Sequence, residues 1–150
     1  MIKIICIGKI KENYLKEAIL EYKKRISKYT NIEIIELDDY NYDVKKTLLC
    51  EYNNIIKVMN TSDYNILLDI NGNELDSLSF AKKINDTLTI NSNITFIIGG
   101  SYGVLDELRD KVNYRLSFSK MTFPHQLFRV LLLEQIYRSY KINNHEEYHK

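Results

Sequence analysis

ITFIIGGSYG, residues 94–103, runs five apolar or β-branched residues straight into three closely spaced glycines. That pattern reads as a strand buried on both faces (94–98) entering a tight turn, which is how strands of a parallel sheet end. Downstream, a short helix is expected near Val104 to Asp110, a strand near Tyr114 to Phe118 and a strandless connection over Ser119 to Phe123. Pro124 suits the first turn of a last helix running to about Lys141. Upstream, IKIICIG (2–8), NIEIIELD (31–38) and YNILLDI (64–70) read as further strands, the third closing on Asn71-Gly72-Asn73. Between them Leu15, Ala18, Ile19, Tyr22 and Ile26 recur at helical spacing within 12–29, and Val44, Leu48, Leu49, Ile55, Ile56 and Met59 do so within 44–59. Asp76 or Ser77 can cap another helix reaching about Thr89. Strand and helix alternate throughout, so an α/β fold is expected, with a mostly parallel sheet covered by helices on both faces.

The chain has 150 residues, enough for one ordinary domain (1–150). Lys plus Arg total 21 against 20 Asp plus Glu, a balance that excludes a grossly basic nucleic-acid binder and makes any RNA surface local. No apolar run approaches the roughly 18 residues of a membrane span, and the amino-terminal MIKIICIGKIKENY lacks the layout of a signal peptide, so a cytoplasmic location is expected. Cys6 and Cys50 have no metal-ligand spacing and read as reduced core thiols. In the last helix Leu127, Phe128, Val130, Leu131, Leu132, Leu133, Ile136, Tyr137 and Tyr140 cover more than one stripe. A second partner is therefore expected there, most simply another copy of the chain.

Ligands of open α/β sheets bind beyond the carboxyl ends of the strands, which here are the loops after residues 70, 98 and 118. Gly99, Gly100 and Gly103 could cradle a phosphate, expose backbone to a ligand or merely close a turn. The dinucleotide pattern G-x-G-x-x-G and the P-loop are both missing. All three histidines (125, 145 and 149) lie in the last 26 residues, together with Arg129, Arg138, Lys141, Lys150 and only three acids. Glu134, Arg138 and Lys141 share one helix stripe, which a solvated salt-bridged face would also explain. His145 and His149 lack a third ligand, so no metal is expected.

LLDINGNELDS (67–77), FIIGGSYG (96–103), LSFSKMTFPHQLFRVLLLEQIYRSYKI (116–142) and a terminal YHK occur in that order, with GKIKE and EYKKRISKY near the amino terminus. Together they resemble the RlmH family of the SPOUT superfamily. The resemblance spans nearly the whole chain and departs over Asp39 to Asn60, where this chain is several residues shorter. It implies a SPOUT-type α/β knot, with the carboxyl-terminal part threaded into a trefoil knot that periodicity could not reveal. It also implies a homodimer that uses S-adenosyl-L-methionine to methylate N3 of a pseudouridine in 23S rRNA of assembled 70S ribosomes, with no DNA or membrane partner.

Carried over by position, the resemblance places the cofactor against Leu68, Ile98, Gly99, Gly100, Gly103, Leu116 and the segment Phe118, Ser119, Lys120, Met121, Thr122 and Phe123. Tyr148 and His149 fall at the target base, with His149 the candidate general base because an imidazole is mostly neutral at pH 7. Arg138 is expected to stabilise the anionic base or a phosphate, and Glu134 to orient Arg138. Lys120, Arg129, Lys141 and Lys150 are candidate phosphate contacts. Tyr137, Tyr140 and Tyr148 could stack on bases or simply pack. Two alternatives remain at this point: a catalytically silent cofactor-binding module associated with ribosomes, and an α/β protein that takes NAD or another nucleotide at Gly99 to Gly103.

Overall fold

β1 (Ile2–Ile7) is flanked by parallel neighbours on both sides in a computed structural model that describes residues 1–150. The other strands are β2 (Ile32–Leu37), β3 (Tyr64–Glu74), β4 (Ile94–Ile98) and β5 (Tyr114–Ser117). They form one five-stranded sheet, β2-β1-β4-β3-β5, in which every pairing is parallel. The helices are α1 (Asn13–Ile26), α2 (Val44–Val58), α3 (Ser77–Ile90), the single turn α4 (Asp106–Arg109) and α5 (His125–Asn143).

Alternate strand residues face opposite sides, and each side has its own helices. Ile2, Ile4 and Cys6 of β1 pack with Phe96, Ile98 and Ile66 against Leu15 and Ile19 of α1, Phe80 and Ile84 of α3, and Leu132, Leu133 and Ile136 of α5. Ile5 and Ile7 pack with Leu67 and Ile97 against Ile55 of α2 and Leu108 of α4. Asp43 caps α2 by accepting from Lys46 N at 2.9 Å, and Asp76 caps α3 by accepting from Ser79 N at 2.7 Å. At the amino ends of the strands, buried Asp63 accepts from Lys3 Nζ at 3.0 Å and Thr95 Oγ1 at 2.9 Å, joining β1, β4 and the start of β3. The carboxyl ends are thereby left for a site.

Four expectations need correction. β3 does not close on Asn71-Gly72-Asn73 but continues to Glu74: Leu68 and Asn73 both pair with Leu116, so residues 69–72 bulge out between them. Pro124 stands at the N-cap of α5 with extended ψ of 129°, one position before the helix. Cys50 is half-buried, whereas Cys6 is fully buried with its thiol pushed up to about 12, burial being the main cause. The apolar width of α5 is used largely within the chain, because the helix packs on both α1 and α3; Leu127 remains exposed. The pairing of β5 with β3 and the return of α5 to the α1/α3 face are consistent with the implied knot.

Candidate active site

A cavity of about 220 Å³ opens beside the bulge of β3 and beyond the ends of β4 and β5. One wall is the turn after β4. Gly103 has φ +80°, its N–H donates to Gly100 O at 3.0 Å, and a Cβ there would meet nothing within 4 Å. A Cβ on Gly99 would lie 2.7 Å from Val104 Cγ1 and 2.8 Å from Gly103 O, so the turn folds tightly on itself only with glycine there. The facing wall is the segment after β5. Ser117 Oγ donates to Ser119 O at 3.0 Å, and Met121 N donates to Ser119 Oγ at 3.0 Å, giving this stretch local turns without a ladder. Phe118 meets Phe128 edge-on at 4.8 Å, and Phe123 stacks on Phe128 at 5.8 Å, which anchors both ends of the segment to α5.

Of the residues that the resemblance implies at the cofactor, Leu68, Ile98, Gly99, Gly100, Gly103, Leu116, Phe118, Ser119, Met121, Thr122 and Phe123 all line this cavity. Lys120 does not; it lines a neighbouring groove with Asn71, Gly72 and Glu74. Asp69, Arg109, His125 and Phe128 also line the cavity and were missed. Asp69 was visible as a lone acid at the end of an apolar run. Arg109 gave no signal, because it comes from a one-turn helix forty residues away. The imidazole of His125 is held below its usual value by burial and then by the nearby Arg129 charge. Arg129 itself is buried, donating Nη1 to Glu36 Oε2 at 2.6 Å and Nη2 to Gly8 O at 3.0 Å; it secures α5 to the ends of β1 and β2 and is not a surface phosphate contact.

The other group of candidates gathers on α5 and the tail beyond it. Glu134 Oε1 accepts from Arg138 Nη2 at 2.9 Å and from Tyr148 Oη at 2.9 Å. Arg138 lies over the Tyr148 ring at 4.6 Å, and its Nη1 is 3.1 Å from His149 Nδ1. A guanidinium can only donate, so Nδ1 accepts and the neutral imidazole carries its proton on Nε2. Burial and the Glu134 contact raise the Tyr148 hydroxyl above its usual value, keeping it a proton donor at neutral pH. The tail is held by Glu146, which accepts from Tyr29 Oη at 2.9 Å and Lys141 Nζ at 2.6 Å, and by His145, whose φ of 55° turns the chain back. Glu134, Arg138, Tyr148 and His149 are thus brought together, but none of them lines the cavity. Tyr137 and Tyr140 pack against Tyr29, with Tyr140 stacked on it at 5.6 Å.

A family model described as "Predicted SPOUT methyltransferase" matches residues 1–149. The chain is 50% identical to the ribosomal RNA large subunit methyltransferase H of Clostridium tetani over 99% of each chain, and equally so to that of Clostridioides difficile. It is 46% identical to the protein of the same name from Caldicellulosiruptor saccharolyticus over the full length of both. Among solved structures, "a probable methylase family protein from Haemophilus influenzae Rd KW20" superposes with TM-score 0.56 at 13% identity, over 99% of this chain and 70% of the other, which is a likeness of fold. With its parallel sheet, its glycine-lined cavity and full-length relatives, this chain belongs to the ribosomal RNA large subunit methyltransferase H family of SPOUT methyltransferases.

Proposed function

We propose that the protein methylates N3 of a pseudouridine in 23S rRNA of the assembled ribosome, using S-adenosyl-L-methionine. One observation carries the reading: a cavity walled by bare glycine backbone and apolar side chains coexists with a separate cluster in which Glu134 and Arg138 of α5 meet Tyr148 and His149 of a tethered tail. The cavity fits an adenosyl group in kind. Leu68, Ile98, Leu116 and Phe118 offer apolar faces, while the backbone of Gly99 to Gly103 and Ser119 to Thr122 offers polar atoms to a base edge and ribose. The cofactor, when bound, supplies an electrophilic methyl on a sulfonium for direct displacement, so no protein nucleophile is required.

The chain's own residues then align the acceptor and stabilise its anion. N3 loses a proton as it gains the methyl. In the arrangement described, Arg138 and the Nε2–H of His149 are both donors and suit a base that is becoming negative. For His149 to take the N3 proton itself, Nδ1 must exchange Arg138 for the substrate N–H, placing that proton on the imidazole. Glu134 and the Tyr148 ring hold Arg138 in place. Because the four residues do not line their own cavity, the reading requires a second copy whose tail reaches this cavity, in a homodimer. No helix is long and apolar enough to cross a membrane.

The test is transfer of labelled methyl from S-adenosylmethionine to intact 70S ribosomes lacking the modification, followed by mapping of the labelled nucleotide. Label at N3 of one pseudouridine is expected. Absence of label, with folded and cofactor-bound protein, would sink the reading in favour of a silent binding module.

A further inference from the structure

The polar end of the cavity contains an ion pair to which the proposed reaction has given no role. Asp69, in the bulge of β3, accepts from Arg109 Nε at 2.8 Å on Oδ2 and from Asn71 N at 3.0 Å on Oδ1. A second guanidinium, Arg115, lies 3.7 Å from the same Oδ2. The Asp69 side chain is only 2% exposed, so its carboxylate is already committed to these partners. Arg109 also donates Nη1 to Asp106 Oδ1 at 2.7 Å and to Val104 O at 3.3 Å, which leaves Nη2 without a protein partner. Asp106 is 95% exposed, and water screens most of its charge.

Arg109 and Asp69 thus form an ion pair in the wall of an otherwise apolar and backbone-lined cavity, with Arg115 a second cation on the same carboxylate and one N–H group of Arg109 left unpaired. A guanidinium held on two of its three nitrogens has lost its rotamer freedom before any ligand arrives. Its remaining N–H group is a preorganised donor for an anion, and carboxylate is the anion a guanidinium matches best in shape and charge. Resting on the cofactor reading above, one anionic group is available in that cavity, the α-carboxylate of the cofactor's amino-acid end.

We propose that Arg109, through its free Nη2, is the subsite for the carboxylate of S-adenosylmethionine, with Asp69 as the residue that positions it. Arg109 thereby selects the amino-acid end of the ligand, while the glycine turn and the 118–123 segment hold the adenosyl end. Asp69 touches no ligand in this arrangement and acts only through Arg109.

Calorimetric titration of the full chain with S-adenosylmethionine and with its decarboxylated form, which differ only in the carboxylate, tests the assignment. The parent is expected to bind the carboxylated ligand about tenfold more tightly, the scale of one charge-assisted hydrogen bond. Arg109→Gln is expected to abolish that gap by weakening S-adenosylmethionine alone, leaving the decarboxylated ligand within about twofold. Arg109→Lys, which keeps the charge beside Asp69 and guards against a folding defect in the first variant, is expected to retain a smaller gap. Equal affinities in the parent, or an undiminished gap in either variant, would overturn the subsite while leaving the cofactor reading intact. Failure of the parent to bind either ligand would overturn both.

Discussion

Tyr148 donates its hydroxyl to Glu134 across 2.9 Å, and the chain turns back fourteen residues to make that contact. The same carboxylate oxygen accepts from Arg138, so one acid on α5 fixes both a helix cation and the tail. In water a free tail of this length would fray.

Glu134→Gln is expected to lower kcat for methyl transfer about tenfold or more, because Arg138 loses its charged partner and the Tyr148 hydroxyl keeps only a neutral acceptor. Cofactor affinity, measured by calorimetry, is expected to stay at the parent value, since Glu134 does not line the cavity. Equal loss of cofactor affinity would contradict the separation of the two groups.

Gly72→Ala is expected to destabilise the fold by about 1–3 kcal/mol, the usual cost of overpacking. A Cβ at Gly72 would lie 2.7 Å from the Arg115 carbonyl carbon and oxygen, and this backbone cannot move without opening β3 from β5. Denaturant unfolding gives the loss, and weaker cofactor binding should accompany it because both strands frame the cavity.

His125 makes stability depend on acid. Burial and then Arg129 hold its folded-state pKa below the ordinary 6.5. The unfolded chain thus binds the proton more readily, and the contribution is fully present above pH 6.5 and lost as pH falls through the lowered folded value. Thermal melts between pH 8 and 5 should decline less steeply for His125→Gln; parallel curves would remove this histidine as the cause.

Glu51 titrates with the opposite sign. Its carboxyl lies against Gly100, only 2.8 Å from where a Cβ would stand, and its Oε1 is buried without a partner. Burial raises its pKa above the ordinary 4.5, so its contribution is present below 4.5 and is lost as pH rises through the raised value. Glu51→Gln keeps an acceptor for Tyr40 N and is expected to be about 1 kcal/mol more stable than the parent at pH 8, the difference vanishing in acid. A variant less stable at pH 8 would show that the ionised carboxylate is needed.

The legible parts of the fold were those set by local period. β1, β4 and the amphipathic face of α1 lie where apolar spacing places them, because a buried face imposes its repeat on the residues that fill it, and α3 starts where a capping residue is available. β3 was misread at its end because Asn71-Gly72-Asn73 has turn chemistry. Glycine there instead permits close approach to β5, a contact made by residues over forty positions away. In the candidate site the glycine turn and the 116–123 stretch were legible as motifs, while Asp69 and Arg109 were not, since an ion pair between distant segments leaves no periodic trace.

By itself the sequence determined an alternating α/β chain, a cap for α3 at Asp76 or Ser77 and, through its motifs, the family. Only the tertiary structure decided the strand order β2-β1-β4-β3-β5, the gathering of α1, α3 and α5 on one face, and the pairing of Arg129 with Glu36 and Arg109 with Asp69. Secondary structure follows from neighbours a few residues apart, whereas strand order and buried charge pairing are settled by which distant surfaces bury the most apolar area while pairing most of the charges they bury.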